Sequence, residues 1–139
     1  MAILEPFGYV DSSVLIASTS EELHSAWALS ALEAGPMLSS TITRVELARY
    51  ARRTGYPQDR LRELESKVTF LAVDEQAISG AIAVSGLVKA LDALHVGTWA
   101  RLHVAGFDLP FITADRKQAS AAAAAGATVI HPYGNELGA

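Results

Sequence analysis

Acidic residues occur at four places where the neighbouring residues predict burial. Asp11 interrupts the apolar run FGYVDSSVLIAS (7–18), and Asp74 and Asp115 each follow a short apolar segment. Asp92 lies on or beside the apolar stripe of the helix predicted for LVKALDALHVGTWARL (87–102). An ionised carboxylate in an apolar setting is costly unless it is paired, hydrogen-bonded or bound to a metal. These acids therefore indicate either hydrogen-bonded structural groups or a site built from paired charges or metal.

Most of these acids also have a purely structural explanation. Aspartate is common at helix N-caps, which would account for Asp11, Asp74 and Asp115. Glu46, in TITRVELARY, has capping-box spacing with the threonine three residues before it. Asp92 has no such explanation, because it lies in the middle of a helix expected over about 88–105 and faces inward. The pattern alone leaves open which acids converge, since that depends on the order of the strands.

Short apolar segments alternate with helical patterns along the chain. Strands are expected at Phe7–Val10, Met37–Ser40, Val68–Val73, Pro110–Thr113 and Thr128–His131. Helices are expected from the capping-box spacing at 19–22 toward Gly35, from about Thr41, after Pro57, after Asp74, over about 88–105 and over about 115–125. This alternation predicts a parallel sheet with helices on both faces, and such sheets bind ligands at the carboxyl ends of their strands.

The composition is that of one globular domain over residues 1–139. Half of the residues are hydrophobic and 19% are charged, which argues against extended disorder. The absence of cysteine excludes disulfide bonds, thiolate zinc sites and cysteine nucleophiles. The N-terminus has no basic leader, and no apolar run approaches the roughly 20 residues needed to span a bilayer. We therefore expect a cytoplasmic protein without membrane association.

Four stretches together resemble the PIN-domain nucleases, specifically the toxin of VapC-type toxin–antitoxin pairs. They run in the family's order and cover residues 9 to about 131: YVDSSVLIA (9–17), SSTITRVELAR (39–49), LVKALDALHVGTWARL (87–102) and FITADRKQASAAAAAGATVI (111–130). The resemblance implies a three-layer α/β/α sandwich whose central parallel sheet has the order 3-2-1-4-5. In that order the ends of strands one and four are neighbours, whereas Asp74 ends an outer strand and is interpreted as a helix cap.

The resemblance also implies which side chains do chemistry. The four acids of the family fall on Asp11, Glu46, Asp92 and Asp115, and its hydroxyls fall on Ser13 and Thr113. The expected reaction is hydrolysis of an RNA phosphodiester bond with two Mg²⁺ or Mn²⁺ ions, since hard divalent ions relieve the repulsion between clustered carboxylates.

Each of these residues then has an expected role. Asp11 and Asp92 would be the chief metal ligands, and Asp115 would complete the second ion site. Glu46 would orient the attacking water, and Ser13 and Thr113 would hold Asp11 and its neighbours in place. His95 is interpreted as a packing residue.

Basic residues offer possible contacts for a phosphate backbone. The net charge is −4, but four of the acids are assigned to the metal site and several arginines cluster over 44–62. Arg49, Arg53, Arg116 and Lys117 are the candidate phosphate contacts, and a solvated helix face is an equal explanation for the arginines. The resemblance further implies an RNA substrate, an antitoxin that lays a peptide across the acidic groove, and a homodimer.

Two other functions are compatible with the same pattern of strands and helices. A phosphoacceptor receiver domain would use Asp74 as the acceptor and Asp11 for Mg²⁺, but it would leave Asp92 and Glu46 unexplained. A catalytically inactive binding module with the PIN fold would keep the acids without cleaving RNA.

Overall fold

The computed structural model describes residues 5–134. Over that range the chain forms five strands and seven helices, and every predicted strand is present to within two residues at each end. The elements are, in chain order, β1 (Gly8–Val10), α1 (Ser12–Ala17), α2 (Ser25–Glu33), β2 (Met37–Ser40), α3 (Thr41–Thr54), α4 (Gln58–Glu65), β3 (Val68–Leu71), α5 (Glu75–Ile82), α6 (Ala90–Val104), β4 (Phe111–Ile112), α7 (Arg116–Ala124) and β5 (Val129–Ile130).

The strands form one parallel sheet in the order β3-β2-β1-β4-β5, which confirms the expected order 3-2-1-4-5. β1 is central, because Tyr9 is paired with Leu38 on β2 and with Phe111 on β4. The order of the strands along the chain reverses between β1 and β4. In open parallel sheets such a switch point leaves a crevice at the carboxyl ends of the strands, and ligands bind there.

Helices cover both faces of the sheet and give three layers. Tyr9 on β1 and Phe111 on β4 pack into a core that α6 and α7 complete. Val10 and Ile112, the next residues on the same two strands, pack into a second core that is completed by α1 to α4. Side chains alternate between the faces of a strand, so strands buried on both faces are apolar throughout. This explains the unbroken apolar character of the strand segments in the sequence.

Helices α5 and α6 approach each other closely at a glycine. A Cβ on Gly97 of α6 would lie 2.3 Å from the carbonyl oxygen of Ala77 and 2.5 Å from the nitrogen of Ala81 on α5. Only glycine permits this approach, because any side chain would collide with backbone atoms. The contact fixes the position of α6, the helix that carries Asp92 and His95.

The predicted start of the second helix is wrong. We expected it at the capping-box spacing of 19–22, but α2 begins at Ser25. Thr19 instead donates its hydroxyl to the carbonyl of Ile16 and closes the preceding helix, α1. The Ser25 hydroxyl accepts the amide N–H of Glu22 at 2.8 Å. These local side-chain bonds hold a turn where the pattern favoured helix.

Two other cap assignments have opposite outcomes. The N-cap of α3 is Ser40, whose hydroxyl accepts the N–H of Ile42, so Glu46 lies in the second turn and its capping-box explanation is wrong. The N-cap of α5 is Asp74, whose carboxylate accepts the N–H of Ala77 at 2.9 Å. The interpretation of Asp74 as a helix cap is confirmed.

No helix within residues 5–134 combines the length and the apolar character that a bilayer crossing requires.

Candidate metal and catalytic site

The four acids singled out from the sequence line one cleft at the carboxyl ends of β1 and β4. The cleft has a volume of about 450 Å³, and its walls include Asp11, Glu46, Asp92 and Asp115. Asp74 does not line it; the carboxylate of Asp74 instead bonds the Arg101 guanidinium, with Oδ2 2.5 Å from Nε. The structure therefore brings together the four acids that the resemblance selected and separates the fifth from them.

Asp11 ends β1 and is also the N-cap of α1. Its side chain is only 4% exposed, and both carboxylate oxygens accept hydrogen bonds. Oδ1 accepts from the backbone N–H of Ser13 at 3.1 Å and from its hydroxyl at 2.5 Å, and Oδ2 accepts from the Thr113 hydroxyl at 2.6 Å. Burial nevertheless raises the pKa of Asp11 to about 6, and the nearby negative charge of Asp115 raises it further. His95 and the hydrogen bonds from Ser13 and Thr113 lower the pKa and offset part of this shift.

The two hydroxyls also connect the ends of β1 and β4. The Ser13 hydroxyl accepts the N–H of Ala114 at 2.8 Å, and the Thr113 hydroxyl accepts the N–H of Asp115 at 3.0 Å. The two hydroxyl oxygens are themselves 3.1 Å apart. Ser13 and Thr113 thus orient Asp11 and fix the turn that leads into Asp115, which is the geometry expected of residues that support a ligand.

Asp115 is the N-cap of α7 and is linked to Asp92 through a residue that the sequence analysis missed. The Asp115 carboxylate accepts the backbone N–H of Gln118 at 3.1 Å. The fully buried side chain of Gln118 donates Nε2–H to the carbonyl oxygen of Asp92 at 3.0 Å, and its Oε1 has no partner within the described residues. The spacing of three between Asp115 and Gln118 is that of a capping box, and was the available signal.

Asp92 lies in the first turn of α6, because the helix begins at Ala90 rather than near residue 88. A carboxylate is stabilised there by the helix dipole, so Asp92 has a structural explanation and the predicted mid-helix position is wrong. The pKa of Asp92 is raised by partial burial, by Asp115 and by Glu46. Within the described residues the Asp92 carboxylate makes no hydrogen bond, and Asp92 lines the same cleft as the other acids.

Glu46 is joined to a buried chain of side chains. The Nε2 atom of His95 lies 2.7 Å from Oε1 of Glu46, and Nδ1 of His95 lies 2.8 Å from the hydroxyl oxygen of Tyr9. His95 is 1% exposed and Tyr9 is fully buried. His95 is therefore packed, as expected, but both of its nitrogens are hydrogen-bonded, and neither is left for a metal ion.

The family model of the PIN domain matches residues 8–132. The chain belongs to the PIN domain family. This PIN domain is similar to a chain from a toxin–antitoxin complex of Klebsiella pneumoniae, with 26% sequence identity, a TM-score of 0.67 and coverage of 91% of this chain and 98% of that one. A chain of FitAB bound to an IR36 DNA fragment shares the fold, with 19% identity, a TM-score of 0.57 and coverage of 89% and 94%. No curated protein sequence matches.

The carboxylates of this PIN domain fit divalent metal ions in kind. No three His, Asp or Glu side chains between residues 5 and 134 already surround one point at which an ion could bind. However, carboxylate oxygens are the ligands preferred by Mg²⁺ and Mn²⁺, and one carboxylate offers about four lone-pair directions. The hydrogen bonds accepted by Asp11 and Asp115 leave some of these lone-pair directions free. The carboxylate of Asp92 accepts no hydrogen bond from any group within residues 5–134. Burial raises the pKa of Asp11 and of Asp92, and the negative charge of Asp115 raises both further; a bound cation would offset both effects.

The basic residues predicted to contact phosphate occupy two surfaces of the PIN domain. Arg116 follows Asp115 directly, and its guanidinium lies 4.7 Å from the centre of the Tyr133 ring. Lys117 is exposed beside it. Arg49 lines a separate groove between α3 and α4, and Arg53 lies over an aromatic ring of α3. Arg116 and Lys117 therefore directly follow a cleft residue, Asp115, in the sequence. Arg49 is not among the residues that line the acidic cleft.

Proposed function

We propose that this PIN domain is a metal-dependent endoribonuclease and the toxin of a VapBC-type toxin–antitoxin pair. The observation that carries the proposal is the convergence of Asp11, Glu46, Asp92 and Asp115 on one cleft at the switch point of the sheet. Members of the PIN domain family are generally nucleases. The structural neighbour from Klebsiella pneumoniae, which spans nearly the whole chain, belongs to a toxin–antitoxin complex.

In this proposal Asp11, Asp92 and Asp115 hold two Mg²⁺ or Mn²⁺ ions. When bound, such ions would supply an activated water and would stabilise the leaving oxygen of a phosphodiester. Glu46 accepts a hydrogen bond from the attacking water and orients it toward the phosphorus. The hydroxyls of Ser13 and Thr113 keep the Asp11 carboxylate pointed at the cleft.

The charge of the cleft bears on how an RNA substrate would bind. A cleft lined by four carboxylates repels an RNA phosphate until cations are bound, so metal binding must accompany substrate binding. Arg116 and Lys117 then provide phosphate contacts on the Asp115 side, and Arg49 and Arg53 extend them along α3. An antitoxin that blocks the acidic cleft and a homodimer of the toxin complete the proposed assembly.

The phosphoacceptor alternative does not fit the sheet. Receiver domains have the strand order 2-1-3-4-5, which puts the end of the third strand beside the first. Here β3 is the outermost strand, and Asp74 at its end is engaged by Arg101 and by the α5 amide that it caps. Asp11 and Asp74 therefore end strands that are not neighbours in the sheet. The catalytically inactive PIN-fold module remains the competing hypothesis.

Cleavage of structured RNA in the presence and absence of Mn²⁺ tests the proposal. We expect cleavage by the parent chain with Mn²⁺ and none with EDTA. Asp11→Asn should lose at least the roughly 10–100-fold that changes in residues supporting a metal ligand cost. Asp74→Asn is the matched control, because it removes a strand-end carboxylate outside the cleft, and it should cleave as the parent does. Parent-like cleavage by Asp11→Asn would refute the catalytic assignment, and no cleavage by the parent would favour the inactive module.

Two further measurements separate the finer parts of the proposal. Thr113→Val should lower the rate less than Asp115→Ala, since the first removes only a support for Asp11. The opposite order would mean that the ligands have been assigned wrongly. Sequencing of RNA ends after brief induced expression would identify the cleaved RNA, and an unchanged set of RNA ends would contradict toxin activity.

A further inference from the structure

A buried polar chain lies directly behind Glu46 and reaches the centre of the sheet. Tyr9 comes from β1, His95 from α6 and Glu46 from α3, so three separate elements contribute one residue each. The two contacts are 2.8 and 2.7 Å long, which is within the normal range for strong hydrogen bonds. Tyr9 and His95 have no access to solvent beyond 1%, whereas the Glu46 side chain is 22% exposed and borders the cleft.

The donors and acceptors of this chain allow one consistent assignment for a neutral imidazole. An ionised carboxylate only accepts hydrogen bonds, so Nε2 of His95 carries the hydrogen and donates it to Glu46. Nδ1 is then an acceptor, and the hydroxyl of Tyr9 donates to it. A tyrosine hydroxyl ordinarily keeps its proton at neutral pH, so it is available to donate this bond. The bonds therefore all run in one direction, from Tyr9 through His95 to Glu46.

We propose that His95 and Tyr9 are positioning residues that hold the Glu46 carboxylate in the orientation required to bind the attacking water. This inference rests on the proposed ribonuclease function. Glutamate has three rotatable side-chain bonds and loses considerable entropy when it is held in one rotamer. Two hydrogen bonds that begin in the rigid core keep Glu46 at the cleft wall without a direct contact between the core residues and the substrate. A polar chain in an otherwise apolar core is costly unless every member is satisfied, and here each bond is made.

Kinetics of Tyr9→Phe test this role, with Tyr50→Phe as the matched control. Tyr50 is on the same helix as Glu46, and its hydroxyl is 2.8 Å from that of Thr19, so the control loses an equivalent bond that does not lead to Glu46. We expect Tyr9→Phe to lower kcat about tenfold, the usual size for a bond supporting a charged group, with KM and Mn²⁺ affinity unchanged. Tyr50→Phe should retain the parent kcat.

A double-mutant cycle separates positioning from a general effect on the fold. If Tyr9 acts through Glu46, Tyr9→Phe should cost nothing further in a Glu46→Gln background. The same fold-loss in both backgrounds, or a change in KM alone, would overturn the inference. His95→Gln keeps an N–H donor within reach of Glu46 and should retain more activity than His95→Leu. Equal losses in the two His95 variants would also overturn it.

Nitrogen-15 spectra of the imidazole rings provide a test that does not depend on activity. The chain has four histidines, so the His95 signals can be identified by their loss in His95→Gln. We expect the tautomer with hydrogen on Nε2, a slowly exchanging N–H, and a shift of the Nδ1 signal in Tyr9→Phe. The opposite tautomer would overturn the inference. No metal-dependent cleavage by the parent would overturn the proposed function instead, whatever tautomer is found.

Discussion

Replacing Asp11 by asparagine should stabilise the metal-free protein at neutral pH while abolishing cleavage. The pKa of Asp11 is about 6 in the folded protein and 3.8 for an unperturbed aspartate. At about 1.4 kcal/mol per pH unit, this difference amounts to about 3 kcal/mol at pH values above both pKa values. Asparagine carries no charge and does not incur this cost. The Thr113 hydroxyl must change from donor to acceptor, which offsets about 1 kcal/mol and leaves a gain of about 2 kcal/mol.

The dependence on pH has a definite sign. Because the pKa of Asp11 is higher in the folded state, the folded protein binds a proton between about pH 4 and 6 that the unfolded chain releases. The free energy of unfolding contributed by Asp11 is therefore largest below pH 4 and is lost as the pH rises through 6. A protonated Asp11 is also uncharged and, like asparagine, offers a donor on one side of the group and an acceptor on the other. The advantage of Asp11→Asn should thus be present at pH 8 and absent at pH 4.

Urea unfolding in EDTA between pH 4 and 8 measures this difference directly. Exposed Asp108→Asn is the control and should follow the parent at each pH. At pH 8 the gain in Asp11→Asn should correspond to a rise in Tm of roughly 8 °C for a chain of this length. The reasoning would be refuted if Asp11→Asn were less stable than the parent at pH 8, or if its advantage did not change with pH. Addition of Mn²⁺ should stabilise the parent and leave Asp11→Asn unaffected.

Three other predictions concern the metal site and the helix that carries it. Asp92→Asn should abolish Mn²⁺ binding in isothermal titration, whereas Asp74→Asn should bind as the parent does and lose only thermal stability; equal binding by both variants would contradict the ligand assignment. Gln118→Met keeps the side-chain volume but loses the hydrogen bond to the carbonyl oxygen of Asp92, and it should weaken Mn²⁺ binding at least about tenfold. The control Gln76→Met, at an exposed position, should bind Mn²⁺ as the parent does. Gly97→Ala should lower the free energy of unfolding by at least about 2 kcal/mol in urea, because its Cβ collides with the α5 backbone; an unchanged midpoint would mean that the helices separate freely.

The strands could be predicted from the sequence for a physical reason. Strands buried on both faces leave unbroken apolar runs, and each run here was found to within two residues. The order of those strands came from the resemblance, since periodicity says nothing about which strands are neighbours. Once β1 and β4 are adjacent, the convergence of Asp11 and Asp115 follows directly.

The contacts that support the acids could not be predicted in this way. Tyr9 and His95 are 86 residues apart, and Gln118 and Asp92 are 26 apart, so their bonds depend on the rotation and placement of α6 over the sheet. The start of α2 was predicted wrongly because the Thr19 hydroxyl donates to the carbonyl of Ile16, at the end of α1, and does not cap the helix that follows. Local spacing identifies which side chains can form a cap but not the direction in which they use it.

Asp11 and Asp115 each begin a helix as well as bordering the cleft. A relative of this chain without catalytic activity would therefore not be free to lose these two side chains, because α1 and α7 would lose their caps. Asparagine or serine would preserve the caps but would remove the carboxylate from the cleft. Asp92 caps nothing and accepts no hydrogen bond within residues 5–134, so it can be replaced more freely. Loss of Glu46 would instead leave the buried Nε2 atom of His95 without its partner. An inactive relative should thus keep cap-forming residues at the two strand ends and a hydrogen-bond acceptor at Glu46, and vary most at Asp92.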